Sequence, residues 1–484
     1  ANNNTAVGKS ALRVNTTGSE NTAVGKDVLV TNTTASYSTA VGYQALYTNN
    51  GTTNTAVGHS ALFNNTSATQ NVAIGSAALY TNTSGANNTA VGTNSLLANT
   101  TGSQNTAIGR EALQSNTTAS YNTSVGTNCM NANTTGASNT ALGQSALRTN
   151  SSGGSNIAIG ASALYANTTA SNNVAVGTNA MLATTTGASN TALGSSALRV
   201  NTTGTNNVAV GFNALYSNTL NSNTALGHSA LQNNTTGSNN VAIGYVALYA
   251  NTSGGENVAI GNYALDAKTT GDYNTGIGHL SLSELTTGVR NTALGRNTGS
   301  TTTTGRYNVF LGYGAESTTA SGDYTNSIGY AISGAPGYTT IGKGTNDIRA
   351  LHGNVTWATV SDERYKKDIK DSTAGLNFVN DLKPRTFNYR NKGDLPTTFR
   401  AYEKDSTETY KNSETNHGFI AQEVKAAIDA HPDIKDGFKM WDSRDDGSQE
   451  VSEAAVIPIL VKAIQELSAK VEELQTEIKT LKGN

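Results

Sequence analysis

One cysteine, Cys129, in 484 residues excludes an internal disulfide framework and says little about redox compartment. Proline is almost as scarce. Of five, the first is Pro336, as expected where nearly every backbone N–H is needed in a hydrogen-bonded ladder. Charged residues make up 13% of the chain, against about 25% in ordinary soluble domains. The net charge of -2 supplies no basic field, so nucleic acid is not an expected partner. Long apolar runs are missing as well. The longest near the C-terminus, Ala454 to Val461, contains Pro458 and falls far short of the ~20 residues of a membrane span, which argues against membrane insertion.

What fills the chain instead is a cassette: Asn-Thr-Ala-Val-Gly, a short gap, Ala-Leu, another gap, then Asn-Thr-Thr-Gly, from residue 4 to about residue 342. Its register glycines include Gly8, Gly25, Gly42, Gly58, Gly75, Gly92 and Gly109, and continue to Gly295, Gly312 and Gly329, about 17 residues apart. A unit this short cannot bury its own apolar face, so neighbouring units must stack into one continuous ladder. Strand alternation puts Asn4, Ala6 and Gly8 on one face and Thr5 and Val7 on the other. The Ala-Leu column (Ala11-Leu12, Ala45-Leu46, Ala61-Leu62) takes Met130 and Met181 in place of Leu, volume-conserving swaps that mark a packed position. Cys129 falls in its Ala column and reads as a small buried hydrophobe. A third column, Asn15, Asn32, Asn49, Asn65, Asn82, Asn99 and Asn116, opens a Thr/Ser/Gly loop. Asn tolerates left-handed backbone, and stacked amides can form a ladder. The units Gly42 to Gly58 and Gly211 to Gly227 are one residue short between this Asn and the next cassette, which marks that segment as the outer loop.

Two short strands and two turns per unit describe a coil of a parallel β-solenoid or β-roll, with roughly 20 coils at about 4.8 Å spanning on the order of 100 Å. So narrow a coil cannot hide both its Val/Ile and its Leu column. Three parallel chains burying the second apolar column between them are therefore expected. The cassettes resemble the head repeats of trimeric autotransporter adhesins and similar repeats of phage tail fibres, with a unit longer than the adhesin one. That resemblance implies a homotrimer of left-handed β-rolls. The repeats hold no catalytic constellation, and neither a metal nor a cofactor is expected. His59, His228 and His279 follow register glycines and read as solvated. The Asn-X-Ser/Thr sequons read first as turn chemistry, with glycosylation the alternative. Tyr47, Tyr80, Tyr165, Tyr216 and Tyr249 share one column, either covering the Leu column or offering a platform for sugars.

The cassette fades after Gly342, and Leu351 to Val360 reads as a last strand. Ser361-Asp362-Glu363-Arg364-Tyr365-Lys366-Lys367-Asp368-Ile369 follows, then Phe387-Asn388-Tyr389, then His417-Gly418-Phe419-Ile420-Ala421-Gln422-Glu423-Val424. By itself a serine before acidic residues is a helix cap. Together these blocks resemble the intramolecular chaperone domain, also called the endosialidase-type or S74 peptidase domain, at the C-terminus of phage tail fibres and tailspikes. The resemblance runs from Ser361 to the end. It implies a domain that drives trimer assembly and then cuts itself off before its serine, with Ser361 as nucleophile, Lys366 as general base and Val360-Ser361 as the scissile bond. Lys367 is the fallback base. His417 and Glu423 either orient the site or are structural. A Ser-Lys dyad needs a neutral amine, hence a desolvated lysine or one beside another cation. Five residues along a helix is about 500°, some 140° off one face. Ser361 must then precede the helix, or Lys366 must reach it from a neighbouring chain.

The last segment is a helix with a heptad seam at Leu460, Ile464, Leu467, Val471, Leu474, Ile478 and Leu481, with Glu477 and Lys482 flanking it. Ile/Val at a with Leu at d favours two strands, a dissenting vote against three. The expected organisation is mainly β: a homotrimeric solenoid shaft over 1–345, a transition strand and cleavage segment over 346–360, an α+β chaperone/peptidase over 361–452 and a coiled-coil helix over 453–484. The expected role is a virion tail fibre or appendage that binds a host-surface receptor, glycans included, and attaches to a tail or baseplate protein. The alternative is a bacterial cell-surface or secreted adhesin carrying the same C-terminal domain. The absence of an anchoring β-barrel from the C-terminal sequence leans against the autotransporter family. A glycan-degrading tailspike lacks support, because the repeats carry no paired carboxylates in register.

Overall fold

The computed structural model describes residues 2–353, 358, 359, 361, 363–435, 438–444 and 446–483. They form two compact units, Ala1–Val360 and Ser361–Asn484.

The first unit is mainly β, a parallel β-solenoid. Among the described residues its strands form one 23-stranded sheet and a small second pair, Glu316–Ser317 with Ser333–Gly334, and each cassette pairs in register with the next, as Thr140, Ala141 and Leu142 do with Ile157, Ala158 and Ile159. The coil Asn139 to Ser155 stands for the rest. Its one strand, Thr140–Leu142, is three residues long. The expected second strand at Ala-Leu is instead a turn, with Ser145 (φ 57) and Leu147 (φ 50) in the left-handed region. The reason is distance: the chain must reverse between Gly143 and Asn150, and alternating left- and right-handed residues do this in the fewest steps. Inter-coil bonding survives the change, since Leu147 N–H donates to the Ala163 carbonyl at 2.9 Å. Left-handed geometry costs a leucine about 1–2 kcal/mol. Complete burial of its side chain (0% exposed) returns roughly 2–3 kcal/mol, so burial wins.

Inside the coil lie the Ala and Leu/Met columns. Cys129 is among them, its thiol pushed up to about 11 by burial, which makes it unreactive. Two amide ladders line the remaining interior. In one, each Asn before the strand takes the backbone N–H of its counterpart a coil later, as Asn156 N–H donates to Asn139 Oδ1 at 2.9 Å. In the other, the corner asparagines bond to one another, as Asn150 Nδ2 donates to Asn133 Oδ1 at 2.7 Å. Both ladders converge on one carbonyl, because Gly153 O accepts from Asn139 Nδ2 and Asn150 Nδ2, each at 2.9 Å. The two short coils lose their residue at this corner, where Asn54 Nδ2 reaches Asn49 Oδ1 at 3.3 Å and Asn223 Nδ2 reaches Asn218 Oδ1 at 3.0 Å. Each register glycine is fixed by space as well as by φ. At Gly143 (φ +134) a Cβ would lie 2.6 Å from the Gly160 carbonyl oxygen.

The residue before each register glycine points outward. Val7, Ile74, Ile108, Leu193, Leu226 and Leu294 are between 40% and 56% exposed, so a single chain hides its Leu column and leaves its Val/Ile column uncovered. The parallel stack ends in an antiparallel hairpin, Tyr338–Lys343 against Asn346–Leu351. Of the segment expected as a last strand, Ala358–Thr359 pairs with Ile348 and Arg349, His352 and Gly353 turn, and Val360 lies outside the described residues.

The second unit is α+β. Helices α1 (Leu376–Asp381), α2 (Ala421–Asp429) and α3 (Ile457–Lys482) accompany two hairpins, Arg385–Phe387 with Asn416–Gly418 and Trp441–Ser443 with Gln449–Val451. Phe378, Val424, Ile428, Met440, Val456 and Ile459 form the core. Among the described residues of α3 only Ile459 and Ala463, in its first turns, are buried, and Ile459 joins this core.

Candidate functional site

Ser361 begins the second unit, and Glu363–Tyr365 makes a single 3-10 turn directly after it. Lys366 N–H donates to the Glu363 carbonyl at 2.9 Å, closing the turn and sending the lysine side chain back toward the serine. Lys366 Nζ lies 2.8 Å from Ser361 Oγ and donates to it. Within the one chain the reach therefore comes from this tight 3-10 turn, and among the described residues the first α-helix of the unit starts only at Leu376. Both side chains are exposed, as is Lys367.

Chemically, this pair has proximity without desolvation. An amine within hydrogen-bond reach takes the serine proton only when it is neutral, and a lysine becomes neutral by losing water or gaining a cationic neighbour. In the single chain both groups are open to solvent. The carbonyl that Ser361 would attack belongs to Val360, outside the described residues.

His417 and Glu423 gather elsewhere. His417 sits on the strand Asn416–Gly418 opposite Thr386 and lines an open groove with Pro384, Thr386, Phe419 and Glu453, of which Ser361 and Lys366 are not part. Glu423, in the first turn of α2, is held by both arms of Arg385: Nε to Oε2 at 2.9 Å and Nη2 to Oε1 at 2.6 Å. The guanidinium holds the Glu423 carboxyl below its ordinary range. This fork ties α2 to the hairpin, a positional task that occupies both carboxylate oxygens. A second such tie joins α3 to α1, where Glu466 Oε2 accepts the Leu376 N–H at 2.7 Å.

The heptad seam faces water throughout. Leu460, Ile464, Leu467, Val471, Leu474, Ile478 and Leu481 range from 39% to 78% exposed.

Residues 361–431 match the Peptidase_S74 family model, chaperone of endosialidase. The Peptidase_S74 match opens on Ser361 and takes in Lys366, the first hairpin, α1 and α2. The second hairpin and α3 lie beyond it. No curated protein and no solved structure matches the chain. A solenoid shaft carrying a Peptidase_S74 segment fits a fibre-like protein. Sequence reading missed the partners of Glu423 and Glu466, since residues 38 and 90 positions apart are joined only by packing.

Proposed function

We propose that three copies of this chain associate in parallel as the shaft of a phage tail fibre or related appendage that attaches to a host surface. The C-terminal unit assembles them and then cuts the Val360-Ser361 bond. The observation that carries this reading is the pair of uncovered apolar seams, the Val/Ile/Leu column of the shaft and the a/d face of α3. Exposed apolar surface running the length of an element marks an association surface. Long-range parallel pairing between near-identical coils is slow and open to misregister, so a trimerising unit at one end would set the register.

The exposed dyad fits this order of events. Ser361 Oγ attacks the Val360 carbonyl carbon and its proton passes to Lys366 Nζ; as the C–N bond breaks, Lys366 returns that proton to the leaving Ser361 nitrogen, and the acyl group has moved from that nitrogen to the oxygen. Water then hydrolyses the ester, releasing the shaft carboxylate and regenerating the hydroxyl on an N-terminal Ser361. Removing water from Lys366 by docking of a neighbouring chain would couple cutting to assembly. Light scattering and mass spectrometry of purified protein test both parts. The expected result is a three-chain mass and a new N-terminus at Ser361, with cutting lost in Ser361→Ala and Lys366→Ala. A monomer refutes the assembly; unchanged cutting in Ser361→Ala refutes the dyad.

A further inference from the structure

The largest fully buried side chain of the shaft is a lysine. Lys268 is 0% exposed and occupies the corner column that asparagine fills in most coils. From Asn218 to Asn251 the amide ladder is intact: Asn234 Nδ2 donates to Asn218 Oδ1 at 2.8 Å and Asn251 Nδ2 to Asn234 Oδ1 at 2.7 Å. There it stops. Asn251 Oδ1 is buried without a hydrogen-bond partner. Lys268 Nζ turns to the coil on the other side and meets the Gly288 carbonyl at a long 3.3 Å. The same coil buries a second orphan, Asp266 Oδ1. Leu285 and Thr302 continue the column, and the ladder does not resume.

We propose that the coil carrying Lys268 is the bending point of the shaft, the level at which the stack opens first and takes up curvature.

Three features fix the rise from coil to coil: the strand, the Ala-Leu turn and the amide corner. Around Lys268 the backbone bonds persist, with Ala267 N–H donating to Ser283 O at 3.1 Å and Thr269 N–H to Thr286 O at 3.0 Å. The corner-to-corner amide rung is missing here, and the strand-side amides, Asn257 Nδ2 on Gly271 O at 3.1 Å and Asn274 Nδ2 on Gly288 O at 3.0 Å, are the amide ties that remain. One corner loosened while the strand stays paired makes a hinge about that strand. Buried polar groups left without partners lower the free energy of local opening. A lysine amine deepens the effect, because its charged form is costly to keep out of water; burial lowers it to about 7, with Asp272 opposing.

The shaft contains its own reference. Thr184 also interrupts the ladder, leaving its Oγ1 and Asn167 Oδ1 unpaired, without a buried amine. The inference holds for one chain or several.

Hydrogen exchange read by mass spectrometry on the full-length protein, together with fibre curvature in electron micrographs, tests it. Amides of residues 266–273 should exchange at least ~10-fold faster than the matching amides around Asn234 and Asn251, with those around Thr184 in between. Lys268→Asn restores the column's usual residue, and it should return these amides to their neighbours' rate and remove the bend. Exchange at residues 266–273 no faster than at Thr184 overturns the proposal. So does a Lys268→Asn protein with unchanged exchange and curvature.

Discussion

Replacing Asn133 with alanine removes one rung of the corner ladder, and the structure sets the cost. Asn133 Nδ2 donates to Asn116 Oδ1 at 3.0 Å and Gly136 O at 2.9 Å, while its Oδ1 accepts from Asn150 Nδ2 at 2.7 Å. Two partners keep a second bond, since Gly136 O still receives Asn122 Nδ2 and Asn150 Nδ2 still reaches Gly153 O. Asn116 Oδ1 does not, and it stays buried. Three lost bonds near 1 kcal/mol each and one orphaned acceptor at about 1–3 kcal/mol give about 4–6 kcal/mol. Coils couple only to their neighbours, so the loss stays local. Hydrogen exchange on the full-length protein should report a fall in protection of ~100-fold or more at Asn133 and Thr134, with distant coils unchanged. Thr135→Ala, an exposed change two residues away, is the control. Equal protection in the two variants would refute the ladder as a source of stability.

Gly143→Ala should block folding of the shaft, because the new Cβ would lie 2.6 Å from a carbonyl oxygen and φ is +134. Gly154→Ala should be neutral, as alanine already fills that column at Ala86, Ala137 and Ala188; soluble yield and circular dichroism separate the two. Lys268 also predicts a pH dependence. Its amine is about 7 when folded against an ordinary 10.5, so between those values the unfolded chain binds more protons and stability rises with pH, by ~5 kcal/mol at most. Below about 7 both states are charged and the penalty is constant. Thermal unfolding from pH 7 to 9.5 should show that rise, and Lys268→Asn should flatten it. Leu467→Lys, on the exposed seam, should leave the protomer's melting unchanged and abolish the higher mass in light scattering.

The solenoid was legible because cassettes repeat: a column that is Ala, Leu or Asn in coil after coil states its own burial. The left-handed leucines were not, since leucine carries no turn signal and holds that geometry only because the interior rewards it. Lys268 was visible as a break in the Asn column, Leu265-Asp266-Ala267-Lys268 where a neighbouring coil has Leu248-Tyr249-Ala250-Asn251, but a charge in an otherwise polar loop reads as solvated until its burial is known. At the Ser361 pair, spacing left two routes, a turn before any helix or a reach from a neighbouring chain, and the single chain shows the turn. For Glu423 the motif left an orienting and a structural role open; Arg385, the residue that pairs with it, lies in a different block and carries no sequence signal for that pairing.

The corner asparagines have one more consequence. Asn32, Asn65, Asn82, Asn99, Asn116, Asn133, Asn150 and Asn167 each begin an Asn-X-Ser/Thr triplet, and each is 0% exposed. Oligosaccharide transfer to such triplets occurs on a chain still emerging and unfolded, before any coil could shield them, and the product is bulky and hydrated. A sugar on any one of them would wedge two coils apart. The polypeptide is therefore suited to synthesis where no such transferase acts, and a eukaryotic secretory pathway would decorate the interior of the rod before the rod existed.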